Sequence, residues 1–310
     1  RVGSLELPNP VMTAAGTSGH GAELQSFFDL CDLGAVVVKS LTAQSWAGNP
    51  APRVCAVPGG MLNGVGLQGP GVEAWAEEFL PGLERSGARA VVSIWGRRID
   101  DYAETARLLG KLIGPEPGGH GVVAVEVNVS CPNLEDRSRM FAHSPSATAA
   151  AVTAAAECHR PLWAKLSPNT HELTSVAEAA LDAGAESVTL VNTLLGMAID
   201  DSSHRPVLGA GGGGLSGEAL HSVALRAVFD CRAAFPQASI VGVGGISDGR
   251  GALRMLAAGA NAVQVGTATL ADPRAPRRVL AELAALLGDQ GDLSEIVAAA
   301  HRTDKEDTNG

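Results

Sequence analysis

Eight short apolar runs punctuate the chain: Val11–Ala14, Ala35–Lys39, Val91–Trp95, Val122–Asn128, Leu162–Leu166, Ser187–Asn192, Ile240–Val243 and Ala262–Val265. Several are rich in Val or Ile. Continuous apolar runs of this length are the pattern of parallel strands covered on both faces. Ala- and Leu-rich segments of helical character lie between them, at Asp100–Ile113, Ser144–His159, His171–Ala183, Ser216–Phe235 and Ser247–Ala258. Ser144 before Pro145 reads as an N-cap followed by proline at the first helical position. Gly184 and Gly259 read as helix stops. A strand–helix alternation repeated eight times predicts a TIM (β/α)8 barrel. An open, doubly wound sheet is the alternative.

Three long stretches interrupt the alternation, at 40–70, 131–143 and 193–215, each after a strand. In a barrel such loops leave the C-terminal ends of the strands, which is the face that carries active sites. The sequence offers no linker, so residues 1–300 are expected to form one barrel domain, with 301–310 as a polar, flexible tail.

Composition narrows the function classes. Hydrophobic residues make up 45%, charged residues 18%, and the formal net charge is −10. Such an acidic balance argues against a nucleic-acid partner. The five cysteines, Cys31, Cys55, Cys131, Cys158 and Cys231, are scattered and form no CxxC. That suits a reducing cytoplasm and gives no ligand set for zinc or an iron–sulfur cluster. No apolar run is long enough to cross a bilayer, and Arg1–Asn9 lacks the apolar stretch of a signal peptide.

Polar residues gather where the strands end. Lys39 closes the second run; Asn128 closes the fourth, followed by Ser130, Cys131, Pro132 and Asn133; Lys165 lies in the fifth; Asn192 and Thr193 close the sixth. Gly244–Gly245 and Gly266–Thr267 close the seventh and eighth. Any one of these also fits a satisfied strand-end polar group. Glycines after strands seven and eight of a barrel commonly let backbone N–H groups approach a phosphate, although ordinary tight turns look the same. A lysine inside an apolar strand is costly unless it meets an anion or strong acceptors, or snorkels outward. Cys131 sits on a loop facing the expected site, where a thiol serves as a general base. The other four cysteines read as inert, buried residues. His20, His120 and His143 have no partner by spacing and read as loop histidines. Asn128-Val129-Ser130 matches a glycosylation sequon but ends a buried strand.

The motifs NPVMTAAGT, VVVKSLT, PRVCAVPGGMLNGVGLQGPG, VEVNVSCPN, WAKLSPN, TLVNTLLGMAIDD, GGLSGEAL, IVGVGGISDG and AVQVGTATLADP follow one another from Asn9 to about Pro273. In content and order they resemble dihydroorotate dehydrogenases. VNVSCPN, with its cysteine, resembles class 1, and GLQxPG, NTLLG and GGLSG look most like the class 1B catalytic subunit. The resemblance implies oxidation of (S)-dihydroorotate to orotate in pyrimidine biosynthesis. Cys131 would take a proton from C5 while C6 passes hydride to N5 of FMN. Lys39, Asn63, Asn128, Asn133, Asn192 and Thr193, with backbone from Gly64, Val65, Gly66 and Leu67, would hold the substrate. Lys165 would neutralise the reduced flavin. Gly217, Gly244, Gly245, Gly266 and Thr267 would bind the FMN phosphate and ribityl chain, and Ala15, Gly16, Ser40, Ser93 and Val191 would line the flavin, beside Lys39 and Asn128. Residues 131–143 would form a lid that brings Cys131 over the substrate.

The chain departs from the family pattern at Ala15, where serine is usual, at Ser93 and Gly69, where asparagine is usual, and in the lid LEDRSRMFAHSP, which lacks the usual Gly-Gly. Two alternatives stay open: an FMN barrel acting on another cyclic amide such as dihydrouracil, and a flavin-free barrel binding a phosphorylated ligand. The resemblance also implies a homodimer and an electron outlet, through a separate FAD/2Fe–2S subunit using NAD or directly to fumarate. No convincing GxGxxG opens a dinucleotide-binding unit in this chain.

Overall fold

The computed structural model describes residues 1–114, 121–133, 139–288 and 291–302. Eight parallel strands, Val11–Thr13, Val36–Leu41, Arg89–Ile94, Gly121–Asn128, Leu162–Lys165, Ser187–Leu190, Ser239–Val243 and Ala262–Val265, form one sheet in chain order. The first strand pairs with the eighth in the register Val11↔Val263. A parallel bridge between Met12 and Ala35 joins it to the second, so the sheet closes on itself. The predicted TIM barrel is therefore present, and the open-sheet alternative is excluded.

The alternation of side chains along each strand divides the protein into two cores. Outward residues such as Val36, Val38, Val92, Val125, Val127 and Val263 pack beneath the helices Ile99–Leu112, Pro145–Ala155, Leu173–Asp182, His221–Ala234, Gly249–Ala257 and Ala275–Leu287. Inward residues Met12, Val37, Val91, Ala124, Trp163, Val241 and Ala262 form a separate cluster inside the barrel, with Val2 plugged into it from the N-terminal end. Side chains one step further along the same strands, such as Lys39, Glu126 and Lys165, are polar. The interior is thus filled from below and left open above.

Helix ends follow the sequence signals. The Ser144 hydroxyl accepts a hydrogen bond from the Ala147 N–H at 3.3 Å, with Pro145 opening the helix. Gly184 and Gly259 stop their helices with φ of 102° and 121°. Two expectations are corrected. The segments 40–70 and 193–215 are not simply loops: Val54–Val57, Gly60–Asn63, Gly213–Ser216 and Leu194–Gly196 pair into a four-stranded antiparallel sheet. The helix expected from Ser216 begins instead at His221, because Ser216 ends a strand and Gly217 turns the chain at φ 104°. The tail expected from His301 is docked at its first residue. The His301 ring stacks on Phe229 at 3.9 Å and its Nε2 meets the Ala258 carbonyl at 3.0 Å. Residues 303–310 lie outside the described residues. No helix among the described residues is long and apolar enough to cross a membrane.

Trp163 is fully buried and is the largest side chain of the inner cluster. Trp163→Ala is expected to lower stability by about 3–5 kcal/mol through lost burial and the cavity left behind. Urea unfolding checks this. A loss below about 1 kcal/mol would show that the barrel interior does not rest on that plug.

Candidate active site

A cavity of about 430 Å³ opens at the C-terminal ends of the barrel strands. Its wall includes Ala15, Gly16, Lys39, Ser40, Asn63, Val65, Gly66, Leu67, Ser93, Asn128, Lys165, Val191, Asn192, Thr193, Gly217, Gly244, Gly245, Gly266 and Thr267. The volume lies in the range of small-molecule and cofactor pockets. Nearly all the residues singled out from the sequence are thereby brought to one place.

Lys39 and Ser40 are consecutive yet both line the wall, which a regular strand forbids. The pairing register between the second and third strands shifts between Val38 and Leu41, and this irregularity turns both residues inward. Burial holds the Lys39 ammonium below its ordinary pKa, partly offset by the nearby Cys131. Among the described residues Lys39 makes no ion pair. Its Nζ lies against Gly16, whose φ of 85° suits glycine.

A chain of short polar side chains crosses the cavity floor. Ser93 and Ser40 share a hydrogen bond of 2.8 Å, Asn128 Nδ2 donates to Ser40 at 3.5 Å, and Asn192 Nδ2 donates to Asn128 Oδ1 at 3.2 Å. Asn192 Oδ1 accepts from the Thr193 N–H at 2.8 Å. Asn63 reaches the same wall from the antiparallel sheet, where its Nδ2 donates to Gly214 O at 3.2 Å. Asn169, which the sequence reading passed over, pins the 193–195 segment through Thr193 O and Leu195 N.

Deeper, Lys165 is buried and donates to Glu126 Oε1 at 3.5 Å and to Gln264 Oε1 at 3.1 Å. Gln264 Nε2 donates to Glu126 Oε2 at 2.8 Å. Lysine does not snorkel out here; it points inward and meets its own carboxylate. Removing one partner of such a buried pair costs about 3–5 kcal/mol, because the other charge is left uncompensated. Sequence reasoning found Lys165 but missed Glu126 and Gln264, although both are polar residues inside apolar runs.

At the other end the turns after strands seven and eight close against the Gly217 turn. A Cβ on Gly245 would lie 2.7 Å from His221 Cβ and 2.8 Å from Gly217 O, and one on Gly217 would lie 2.6 Å from Gly60 Cα. No side chain fits these positions, so bare backbone faces the cavity. The His221 ring nitrogen Nδ1 meets Gly244 O at 2.9 Å and steadies the turn.

Among the described residues, two selected from the sequence, Gly64 and Cys131, do not line the cavity. Gly64 turns its backbone the other way: its N–H donates to Arg53 O at 2.7 Å and its carbonyl accepts from Asn49 at 3.0 Å. The Asn133 side chain lies outside the described residues. Cys131, expected to face the site, is fully buried behind it, and the neighbouring Ser130 lines the cavity instead. The cause is local pairing. Phe141 N–H bonds to Cys131 O and Ala142 N–H bonds to Val129 O, which turns the thiol onto Asn128 O at 3.4 Å. Tyr102 donates to the same carbonyl at 2.8 Å. Burial pushes the Cys131 pKa up to about 12, against the opposing pull of Lys39 and of hydrogen bonds with Tyr102 and the Gly96 backbone.

The other cysteines and histidines divide. Cys158 and Cys231 are buried as expected, but Cys31 is exposed and Cys55 half-buried. His20 packs on Phe79 at 5.4 Å, and His143 belongs to the short helix Phe141–His143 with Nε2 buried and unpartnered. His120 lies outside the described residues.

The model of the dihydroorotate dehydrogenase family matches residues 1–287. The chain is 46% identical over 305 residues to the dihydroorotate dehydrogenase B (NAD(+)) catalytic subunit of Desulforudis audaxviator, covering 97% of each chain. It is 42% identical over 289 residues to the protein of that name from Geobacter sp. strain M21, covering 93% of this chain and 92% of the relative. The Geotalea uraniireducens protein of that name is 41% identical over 301 residues, covering 96% of each.

In the ligand-free protein the raised Cys131 pKa keeps the thiol protonated at pH 8, while Cys31 stands in solvent. Iodoacetamide at pH 8 is therefore expected to label Cys31 at least tenfold faster than Cys131, as read by peptide mass spectrometry. Equal rates would contradict the buried arrangement.

Proposed function

The chain belongs to the dihydroorotate dehydrogenase family, and from that premise we propose that it oxidises (S)-dihydroorotate to orotate using FMN bound in the barrel cavity. The observation that carries this reading is the meeting of an inward lysine, three asparagines and a side-chain-free glycine rim around one cavity. A flavin mononucleotide needs a narrow apolar-to-polar slot, a positive charge near its pyrimidine edge and a backbone cradle for its phosphate. Lys165 and the rim formed by Gly217, Gly244, Gly245, Gly266 and Thr267 fit those needs. Ala15, Gly16, Ser40, Ser93 and Val191 would flank the ring.

Bound FMN would supply the two-electron acceptor. The residues of the chain do the rest. Asn63, Asn128 and Asn192, with Thr193, offer amide donors and acceptors that match the edges of a cyclic diamide. Lys39 offers its ammonium to a substrate carboxylate, and an anion there would restore the charge that burial weakens. Val65, Gly66 and Leu67 close the wall, held by Trp46 Nε1 donating to Gly66 O at 3.0 Å. Cys131 would accept the C5 proton. For this its thiol has to leave the Asn128 carbonyl and enter the cavity beside Ser130, where the Lys39 ammonium would favour the thiolate. Asn133 would add a substrate contact.

A carboxylate-free cyclic amide is the second reading, since the asparagines alone would accept it. Lys39, an inward cation without a carboxylate partner among the described residues, favours the carboxylate substrate. The name catalytic subunit borne by the relatives supports an electron outlet in a separate subunit, which by the family resemblance would carry FAD and a 2Fe–2S cluster. Among the described residues no cluster of three His, Cys, Asp or Glu side chains could hold a metal. A homodimer and a cytoplasmic location complete the proposal.

Anaerobic addition of dihydroorotate is expected to bleach the visible flavin bands of the purified protein, faster than dihydrouracil does. Faster bleaching by dihydrouracil, or a colourless protein, would reject the proposal. Cys131→Ser is expected to lower turnover near neutral pH by about 10²–10⁴-fold while flavin is retained. Unchanged turnover would remove Cys131 from the chemistry.

A further inference from the structure

Lys165, Glu126 and Gln264 come from the fifth, fourth and eighth barrel strands and meet as a closed ring below the cavity. Glu126 and Gln264 are fully buried and Lys165 is 5% exposed. Every hydrogen-bonding atom of the two partners is used within the ring. Gln264 accepts from Lys165 at Oε1 and donates to Glu126 at Nε2, which fixes the orientation of its amide. An ammonium carries three N–H groups, and the ring takes two. Lys165 and Glu126 also line the cavity, so the third N–H remains for an occupant.

The distances within the ring are unequal. Gln264 holds the carboxylate at 2.8 Å, while the ammonium stands 3.5 Å from it. A relaxed charge-assisted N–H···O bond is about 2.7–2.9 Å. The ion pair is therefore held open, and the lysine charge is only partly compensated. In a low-dielectric interior the uncompensated part acts on whatever lies above it.

We propose that Glu126 and Gln264 are positioning residues that set the midpoint potential of the bound flavin by fixing how much of the Lys165 charge reaches it. This rests on the reading that a flavin occupies the cavity over Lys165. The reduced flavin carries more negative charge than the oxidised form, so exposed lysine charge favours reduction. Glu126 subtracts from that charge. Gln264 keeps the subtraction incomplete by taking one Lys165 N–H at 3.1 Å and holding the second carboxylate oxygen at 2.8 Å.

Two substitutions separate this account from a merely structural role, because they act in opposite directions. In Glu126→Gln the lysine loses its counter-charge, and the reduced-to-oxidised ratio at fixed ambient potential is expected to rise about tenfold. For a two-electron couple that is about 30 mV. In Gln264→Met the pair closes, and the ratio is expected to fall, by about threefold or more. Both are read from the flavin-loaded protein equilibrated anaerobically with a reference dye, with no dihydroorotate present. Shifts in the same direction, or both within twofold of the unsubstituted protein, overturn the proposal. If Glu126→Gln fails to fold, Gln264→Met decides alone, since it keeps both charges. Potentials that fail to split in a protein that dihydroorotate still bleaches reject this inference and leave the proposed function standing. Potentials that split in a protein that dihydroorotate does not bleach do the reverse. A protein that binds no flavin rejects both.

Discussion

A closed parallel barrel has to fill its own interior, and this one stops its apolar filling one layer short. Below, Met12, Trp163, Val241 and their neighbours pack as a core. Above them the inward positions pass to Lys165, Glu126 and Gln264. A buried lysine cannot stand alone in such a place, since taking its charge from water costs several kcal/mol without a partner. The ring of three side chains meets that constraint. Because the ring takes only two of the three Lys165 N–H groups and lies against the cavity, the open side becomes a site.

The rest of the upper face serves to enclose that open side. The antiparallel sheet built from 54–63, 194–196 and 213–216 carries Asn63 over the barrel mouth and delivers Gly217 against the Gly245 turn. The bulge in the second strand adds Lys39 and Ser40. Hydrogen bonds from Ser93 through Ser40 and Asn128 to Asn192 lock the floor between them. Polar groups whose orientation is fixed before a ligand arrives need no reorganisation when charge changes above them. The arrangement therefore suits a ligand whose charge changes during its reaction.

Much of this was legible from sequence because local pattern and final position agree. Eight apolar runs became eight strands, and Ser144, Gly184 and Gly259 mark helix ends by chemistry that needs no tertiary context. Legibility failed where long-range pairing decides. The Gly-rich segments 60–63 and 213–216 show little alternation, so their antiparallel pairing does not announce itself. The direction of the Cys131 thiol follows from backbone bonds to residues ten and more positions away, and Gly64 is withdrawn by Arg53 and Asn49. Glu126 and Gln264 were readable in principle. Each is a polar residue within an apolar strand, and Glu126 shares its parity with Asn128, which was recognised.

The central claim is that the unfilled top of the barrel holds a flavin against the free N–H of Lys165. A crystal structure of the protein with FMN and orotate tests it most directly. The account predicts Lys165 Nζ within hydrogen-bond distance of the N1–C2=O edge of the flavin, Glu126 and Gln264 unmoved, and orotate among Asn63, Asn128 and Asn192. A flavin bound elsewhere, or a Lys165 turned wholly onto Glu126 with its third N–H facing away from the ring, would contradict it.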